Sequence, residues 1–242
     1  MIDSRLSCVI PARNESGHLQ DVVRHVLSLD EVQDIILVEG GSSDDTYEVA
    51  QRIASSDPER IRLLKQSGKG KFNAVLEGAS LCRESFIIIW DADGTVPLLA
   101  TKHVIERAIK TNNPCMGDRL RGEIETGAMQ RANWIGNWVF AILWSPILKS
   151  KPRDMLCGTK VFPKSVYEAI PDWLMSKDPY GDFALVATAR SLGFKVESVV
   201  VDYRARTYGE TNIQRWTGGL HLLRATFATY KWAFSGYRKA TD

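Results

Sequence analysis

Two aspartates, Asp91 and Asp93, end the apolar run of "SFIIIWDADGT" and are separated only by Ala92. Like charges this close repel unless a cation lies between them, and paired carboxylates at the mouth of a strand suit a divalent metal. The same residues also suit a plain polar turn, since Asp and Gly both favour turns. Upstream, "PARNES" places Asn14 and Glu15 after a first apolar run, and "EGGSSDDT" places Glu39, Asp44 and Asp45 after a second. Glu39 has the reach for a ribose hydroxyl, and Asp44 or Asp45 for a base. Asn-Glu-Ser and Ser-Asp-Asp-Thr are equally ordinary helix-start sequences, so both readings stay open. "GKGKFNAVLEG" sets Gly70 and Lys71 in a glycine-bearing loop. It lacks the G-x-x-x-x-G-K-[ST] spacing, and G-x-G-x-x-G is absent too, which disfavours an ATPase or a dehydrogenase.

These residues need a scaffold that brings strand ends together. "RLSCVIPA" reads as a buried strand ending at Pro11, and Ser16 as the cap of a helix to about Ser28, with Leu19, Val22, Val23, Val26 and Leu27 on one face. "DIILVEGG" is a second strand, followed by a helix from about Asp44 to Ser55. "IRLLK" is a third strand, Gly70 to Cys82 a third helix, and Phe86–Trp90 a fourth strand. Unbroken apolar strands alternating with helices predict an α/β fold, with a parallel sheet covered on both faces and ligands at its C-terminal edge. After Thr95 the regularity fades into longer, Trp-rich helical stretches and shorter strands.

Composition narrows the class. At 242 residues the chain can bury a sizeable core. A net charge of +2 gives no argument for nucleic acid. Cys8, Cys82, Cys115 and Cys157 form no C-x-x-C pair, which speaks against zinc or a disulfide framework, and Cys8 and Cys82 read as core residues. The N-terminal apolar run is too short for a signal peptide, so a cytoplasmic location is expected.

In order, "VIPARNES", "ILVEGGSSDDT", "GKGKFNAVLEGA" and "IIIWDADGTVP" resemble the nucleotide-sugar half of family 2 glycosyltransferases with the GT-A fold, a Rossmann-like, mostly parallel sheet. The later "MGDRL", "GAMQRANWIGN", "DMLCGTKVF", "YGDFAL" and "YRARTYGETNI" resemble the dolichyl- or polyprenyl-phosphate sugar transferase branch. The resemblance covers nearly the whole chain. It implies one domain with a donor half over about 1–97, an acceptor half over about 98–212 and an amphipathic C-terminal helix over about 213–242. It also implies transfer from a GDP- or UDP-sugar, of GDP-mannose or UDP-glucose type, to a polyprenyl phosphate, with Mg2+ or Mn2+. Pro11, Ala12, Asn14, Glu15, Glu39, Asp44, Gly70, Lys71, Asp91, Ala92 and Asp93 would line the donor. Asp93 would ligate the metal directly, and Asp91 would hold ribose, sugar or a metal-bound water. Relatives often carry Gln two residues after the second Asp, where this chain has Thr95.

Arg119, Arg131 and Arg206 match positions that contact phosphates in that branch, and Arg204 lies one strand period from Arg206. Guanidinium groups present planar paired donors to phosphate and keep their charge. Asp182 stands where hydroxyl-accepting members carry a catalytic base, and is also placed to start the helix of "FALVATARSL"; Asp154 shares the ambiguity. A hydroxyl acceptor with Asp182 as base, and a non-catalytic sugar-nucleotide-binding protein, are the alternatives. A nucleotidyltransferase would want a Gly-rich basic loop after the first strand, which "PARNES" does not offer.

No segment reaches the ~18–20 apolar residues of a spanning helix, and Asn137, Ser145 and Pro146 interrupt the longest candidate, Trp134 to Leu148. In the last helix Ile213, Trp216, Leu220, Leu223, Phe227, Tyr230 and Phe234 recur at three and four, with Arg224, Lys231 and Arg238 beside them. That stripe fits either a peripheral membrane surface or the protein's own core. A homo-oligomer and a monomer fit equally well.

Overall fold

Strands that are apolar at every position must be covered on both faces, and the computed structural model bears this out. It describes residues 5–92, 95–148, 153–205, 221–230, 232 and 233. Among them, β1 (Leu6–Ala12), β2 (Val32–Glu39), β3 (Ile61–Lys65), β4 (Phe86–Ile89), β5 (Cys115–Asp118), β6 (Lys160–Pro163) and β7 (Glu197–Val200) form one sheet in the order β3-β2-β1-β4-β6-β5-β7. Alternate residues feed two separate cores. Val9, Ile36, Val38, Ile87, Ile89 and Phe162 face one side, while Cys8, Ile10, Ile35, Leu37, Ile88 and Val161 face the other.

Helices α1 (Leu19–Leu27), α2 (Thr46–Ser56) and α4 (Leu98–Thr111) lie on the second side. Helices α3 (Lys71–Leu81), α5 (Arg131–Leu148), α6 (Lys164–Glu168), α7 (Asp172–Met175) and α8 (Asp182–Ser191) lie on the first. The chain runs outward from β1 to β3, then returns through α3 to place β4 on the other flank of β1. The crevice between β1 and β4 is thus the switch point where open α/β sheets bind ligands. α3 crosses flush against the sheet: a Cβ on Gly78 would lie 2.7 Å from Val9 Cγ1 and 2.9 Å from Val38 Cγ2. Both distances are too short for a real side chain.

The sheet is mostly parallel, as expected, with β6 running antiparallel to β4 and β5. The start of β6, not its end, therefore lies at the mouth where β1, β4 and β5 finish. Several expectations need correction. Ser16 does not cap α1, which begins at Leu19 after His18; its hydroxyl donates instead to Asp44 at 2.8 Å. α2 starts at Thr46 rather than Asp44. α5 is continuous through Asn137, Ser145 and Pro146, although no described helix is long and apolar enough to cross a membrane. In the helix over 221–230, Leu223 and Phe227 point outward, while Leu222, Ala225, Thr226 and Thr229 face the protein. The core reading of the stripe thus fails at Leu223 and Phe227. Ile213, Trp216, Leu220, Lys231, Phe234 and Arg238 lie outside the described residues.

Gly78→Val is expected to lower unfolding free energy by about 1–3 kcal/mol through overpacking between α3 and the sheet, read from the urea midpoint.

Candidate active site

Asp91 follows β4 at the switch point, with its side chain 29% exposed. The Lys71 ammonium, from the first turn of α3, forms an ion pair with Asp91 Oδ1. The other oxygen, Oδ2, faces Gly158, whose missing side chain leaves the carboxylate its place; any Cβ there would collide with it. Burial raises the Asp91 carboxyl pKa, but Lys71, and further off Lys160 and Arg119, outweigh that and hold it below the usual carboxylate range. The site thus keeps Asp91 ionised. Thr95 is buried nearby and its carbonyl accepts from Arg204 N–H at 2.8 Å. Ala92 is buried, and Asp93 lies outside the described residues.

Two further aspartates repeat the pattern. Arg119, just after β5, grips Asp154 through Nε–Oδ2 at 2.6 Å and Nη2–Oδ1 at 2.9 Å. Its side chain is 11% exposed, Asp154 is fully buried, and the guanidinium lies over the Tyr203 ring at 4.9 Å. Burial alone would lower the Arg119 pKa, yet Asp154 reverses the effect and raises it. The planar fork is committed to a carboxylate on one edge, while Nη1 makes neither of these bonds. Lys160, at the start of β6, is 2% exposed; its ammonium donates to the Cys157 carbonyl and to Asp182 Oδ1, the latter at 2.6 Å.

Asp182 opens α8, but the cap is Asp178. The fully buried Asp178 carboxylate accepts from Gly181, Phe183 and Ala184 N–H groups at 2.8–3.0 Å, and Gly181 takes φ +78°, which favours glycine. Burial, and then the nearby Asp182 charge, push the Asp178 carboxyl up to about 6.

The ends of β1 and β2 form one knitted ledge. Gly40 N–H donates to the Ala12 carbonyl at 2.9 Å, next to half-buried Pro11. Asn14 takes φ +57°, receives Ser43 N–H on Oδ1 at 2.8 Å and donates its own N–H to Ser42 Oγ at 3.0 Å. Glu15 N–H donates to Thr46 Oγ1 at 2.8 Å, and buried Glu39 accepts from Ser42 N–H at 2.5 Å. Asp44 is taken up by Ser16 and Thr46. In the loop before α3, Ser67 and Gly68 N–H groups are spent on Glu77, and the Gly70 carbonyl accepts from Gln66. That loop delivers Lys71 to Asp91 rather than forming a phosphate cradle from those two N–H groups.

The structure therefore gathers Asp91, Lys71, Arg119 and Asp182 at one mouth. Arg204 is exposed, on a cavity of about 660 Å³ lined also by Tyr203, Asp202, Glu123 and His103. Arg131 starts α5, and Arg206 lies outside the described residues. Sequence reasoning missed Lys160, Gly158 and Asp178. The one available signal was a lysine opening the otherwise apolar strand "KVFP", directly after "CGT".

Residues 7–171 match the sequence family described as glycosyl transferase family 2. The chain belongs to that family. It is 25% identical over 221 residues to glycosyltransferase AglD of Haloferax volcanii, covering 86% of this chain and 34% of AglD. To AglJ of the same organism it is 25% identical over 210 residues, covering 85% of this chain and 66% of AglJ. The chain thus spans about a third of one curated relative and just under two thirds of the other. Among solved structures, glucosyl-3-phosphoglycerate synthase from Mycobacterium tuberculosis has a TM-score of 0.70 at 17% identity, covering 93% of this chain and 79% of that one. That structure holds Mn2+, UDP-glucose and phosphoglyceric acid. The likeness shows the fold, which is GT-A.

For this family member, Gly158→Ala must push Asp91 off Lys71. Initial rates of the glycosyl transfer proposed for this site should fall about 100-fold, the scale of a 1 Å misplacement, with the thermal midpoint little changed. Asp178 has a separate pH consequence. Its native carboxyl holds a proton up to about 6, whereas the unfolded one releases it near ~4, so stability falls as pH rises through that window and levels off above it. Asp178→Asn should remove that fall, worth up to about 3 kcal/mol, in urea titrations between pH 4 and 6.

Proposed function

We propose that the protein is a metal-dependent, inverting glycosyltransferase that moves a sugar from a UDP- or GDP-sugar to a polyprenyl phosphate at the cytoplasmic membrane face. The observation that carries the reading is the ionised Asp91, set at the switch point of a GT-A sheet, paired with Lys71 and within the field of Lys160 and Arg119. The ledge of Asn14, Glu15 and Glu39 would bind the nucleoside, with Lys71 beside its diphosphate. The crystallised mycobacterial enzyme holds a UDP-sugar and Mn2+, in keeping with this donor.

The chain's donor chemistry fits Mg2+ or Mn2+. Asp91 offers a hard oxygen at the crevice, and Asp93 follows two residues later; hard cations of this kind are commonly held by one or two carboxylates together with substrate phosphates. When bound, such an ion offsets the charge developing on the departing nucleoside diphosphate.

The acceptor's phosphate is already ionised at neutral pH. One of its oxygens attacks the anomeric carbon as the bond to the nucleoside diphosphate breaks, the electron pair leaves with the diphosphate, and the configuration inverts. Arg119 stands beside this path with Nη1 outside its Asp154 pair, and Arg204 and Arg206 would draw in the acceptor phosphate. Hydroxyl acceptance is the second reading, kept because Asp182 stands at the same mouth; its Oδ1 is held by Lys160, which favours a positioning role.

Incubation with UDP-glucose or GDP-mannose, Mn2+ or Mg2+ and polyprenyl phosphate should yield a lipid-linked sugar, detected by mass spectrometry. Turnover onto a soluble saccharide alone would replace the acceptor and promote Asp182 to base. Asp93→Asn should lower turnover at least ~100-fold; retained rate and metal dependence would overturn the metal assignment.

A further inference from the structure

α5 has two dissimilar faces. Inward, Asn137 is 2% exposed and accepts Leu156 N–H on Oδ1 at 3.2 Å, tying the helix to the segment whose Asp154 grips Arg119. Outward, Trp134, Ile135, Trp138, Val139 and Ile142 stand exposed at one helical spacing, Trp138 at 54%. The helix over 221–230 packs beside it: Tyr230 sets its ring edge on Trp144 and donates its hydroxyl to the Leu143 carbonyl at 2.5 Å. This neighbour also leaves apolar side chains in solvent, Leu223 and, at 71%, Phe227. Exposed apolar groups clustered on adjoining helices mark a contact surface rather than ordinary surface scatter.

Charge identifies the partner. The stretches 131–153 and 214–241 carry nine Lys and Arg and no Asp or Glu, in a chain with 31 basic and 29 acidic residues. Among the described ones, Arg153 and Arg224 are exposed. Tryptophans beside basic residues suit the headgroup boundary of an anionic bilayer, where the rings sit among acyl chains and the cations meet phosphate. A second copy of the chain is the poorer occupant, because a two-fold interface through the helix over 221–230 would bring together two copies of the exposed Arg224 with no carboxylate in its stretch to offset them.

We infer that the outer face of α5, with the adjoining helix over 221–230, is a docking surface for anionic lipid. A bilayer on that face lies about one helix diameter, roughly 10–12 Å, from the segment that holds Arg119. The inference goes beyond the transfer reaction and does not depend on which acceptor is used.

Flotation of the full chain with vesicles free of donor and acceptor tests it. Binding is expected to vesicles of phosphatidylcholine with phosphatidylglycerol, more weakly to phosphatidylcholine alone, and to decline with added salt. Trp138→Gln and Phe227→Gln replace exposed side chains and should each cut the bound fraction at least tenfold, with the thermal midpoint unchanged. Arg224→Gln should weaken binding to the anionic vesicles alone. Failure of the folded protein to float, or unchanged flotation of Trp138→Gln and Phe227→Gln, overturns the inference. So does a dimer in sedimentation that Trp138→Gln dissociates, because the face then belongs to a second copy.

Discussion

The constraint on which the rest of this structure depends is that a carboxylate removed from water must be given a partner, either a cation or, as at Asp178, a set of backbone N–H groups. Three aspartates at the mouth of the sheet each have a cation: Asp91 with Lys71, Asp154 with Arg119, Asp182 with Lys160. Burying an ion costs several kcal/mol and is offset only when a partner is well placed. Each partner here arrives on a different element, so the pairs dictate how those elements meet. Lys71 reaches Asp91 only because α3 lies flush on β1 and β2, which Gly78 allows, and Asp91 keeps its rotamer only because Gly158 leaves the space.

The reversed strand β6 follows from the same requirement. Had β6 run parallel to its neighbours, it would have delivered its end to the mouth through another crossover helix. Running antiparallel between β4 and β5, β6 instead delivers its beginning, and with it Asp154, Gly158 and Lys160 from a single short segment. That segment touches both flanks at once. Gly158 faces Asp91 after β4, Asp154 holds Arg119 after β5, and Asn137 fastens Leu156 from α5.

β1, β2 and β4 were legible because burial on both faces leaves an unbroken apolar run, and "CVI", "IILV" and "FIII" have it. The placement of Asp91 at a strand end in the mouth of the sheet was legible for a related reason, since the apolar run stops at it. Local signals misled where a distant residue competed for the same group. Ser16 looked like a cap until Asp44, 28 residues on, took its hydroxyl, and Asp182 looked like a cap although Asp178 does the capping. Lys160 left only the signal of a lysine opening an apolar strand, because a buried lysine makes sense only beside Asp182, which sequence distance hides. In the last helix the three-and-four spacing was seen, but periodicity alone does not say which face meets protein.

The two halves of the site are held by different forces, and this bears on how each can act. The ledge at the ends of β1 and β2 rests on neutral or singly charged hydrogen bonds, exposed at Asn14 and buried at Glu15, with Asn14 at φ +57° in a region non-glycine residues seldom adopt. Each such bond contributes about 0.5–1.5 kcal/mol net, so a ligand offering its own donors and acceptors can replace several without unfolding the loop. The opposite wall is held by the Arg119–Asp154 and Lys160–Asp182 pairs, with 11% and 2% of the cationic side chains exposed. Removing one member of such a pair costs about 3–5 kcal/mol, and salt screens buried pairs little. The wall is therefore rigid before any ligand arrives, which is what preorganised charge stabilisation requires, while adaptation to a ligand is left to the ledge.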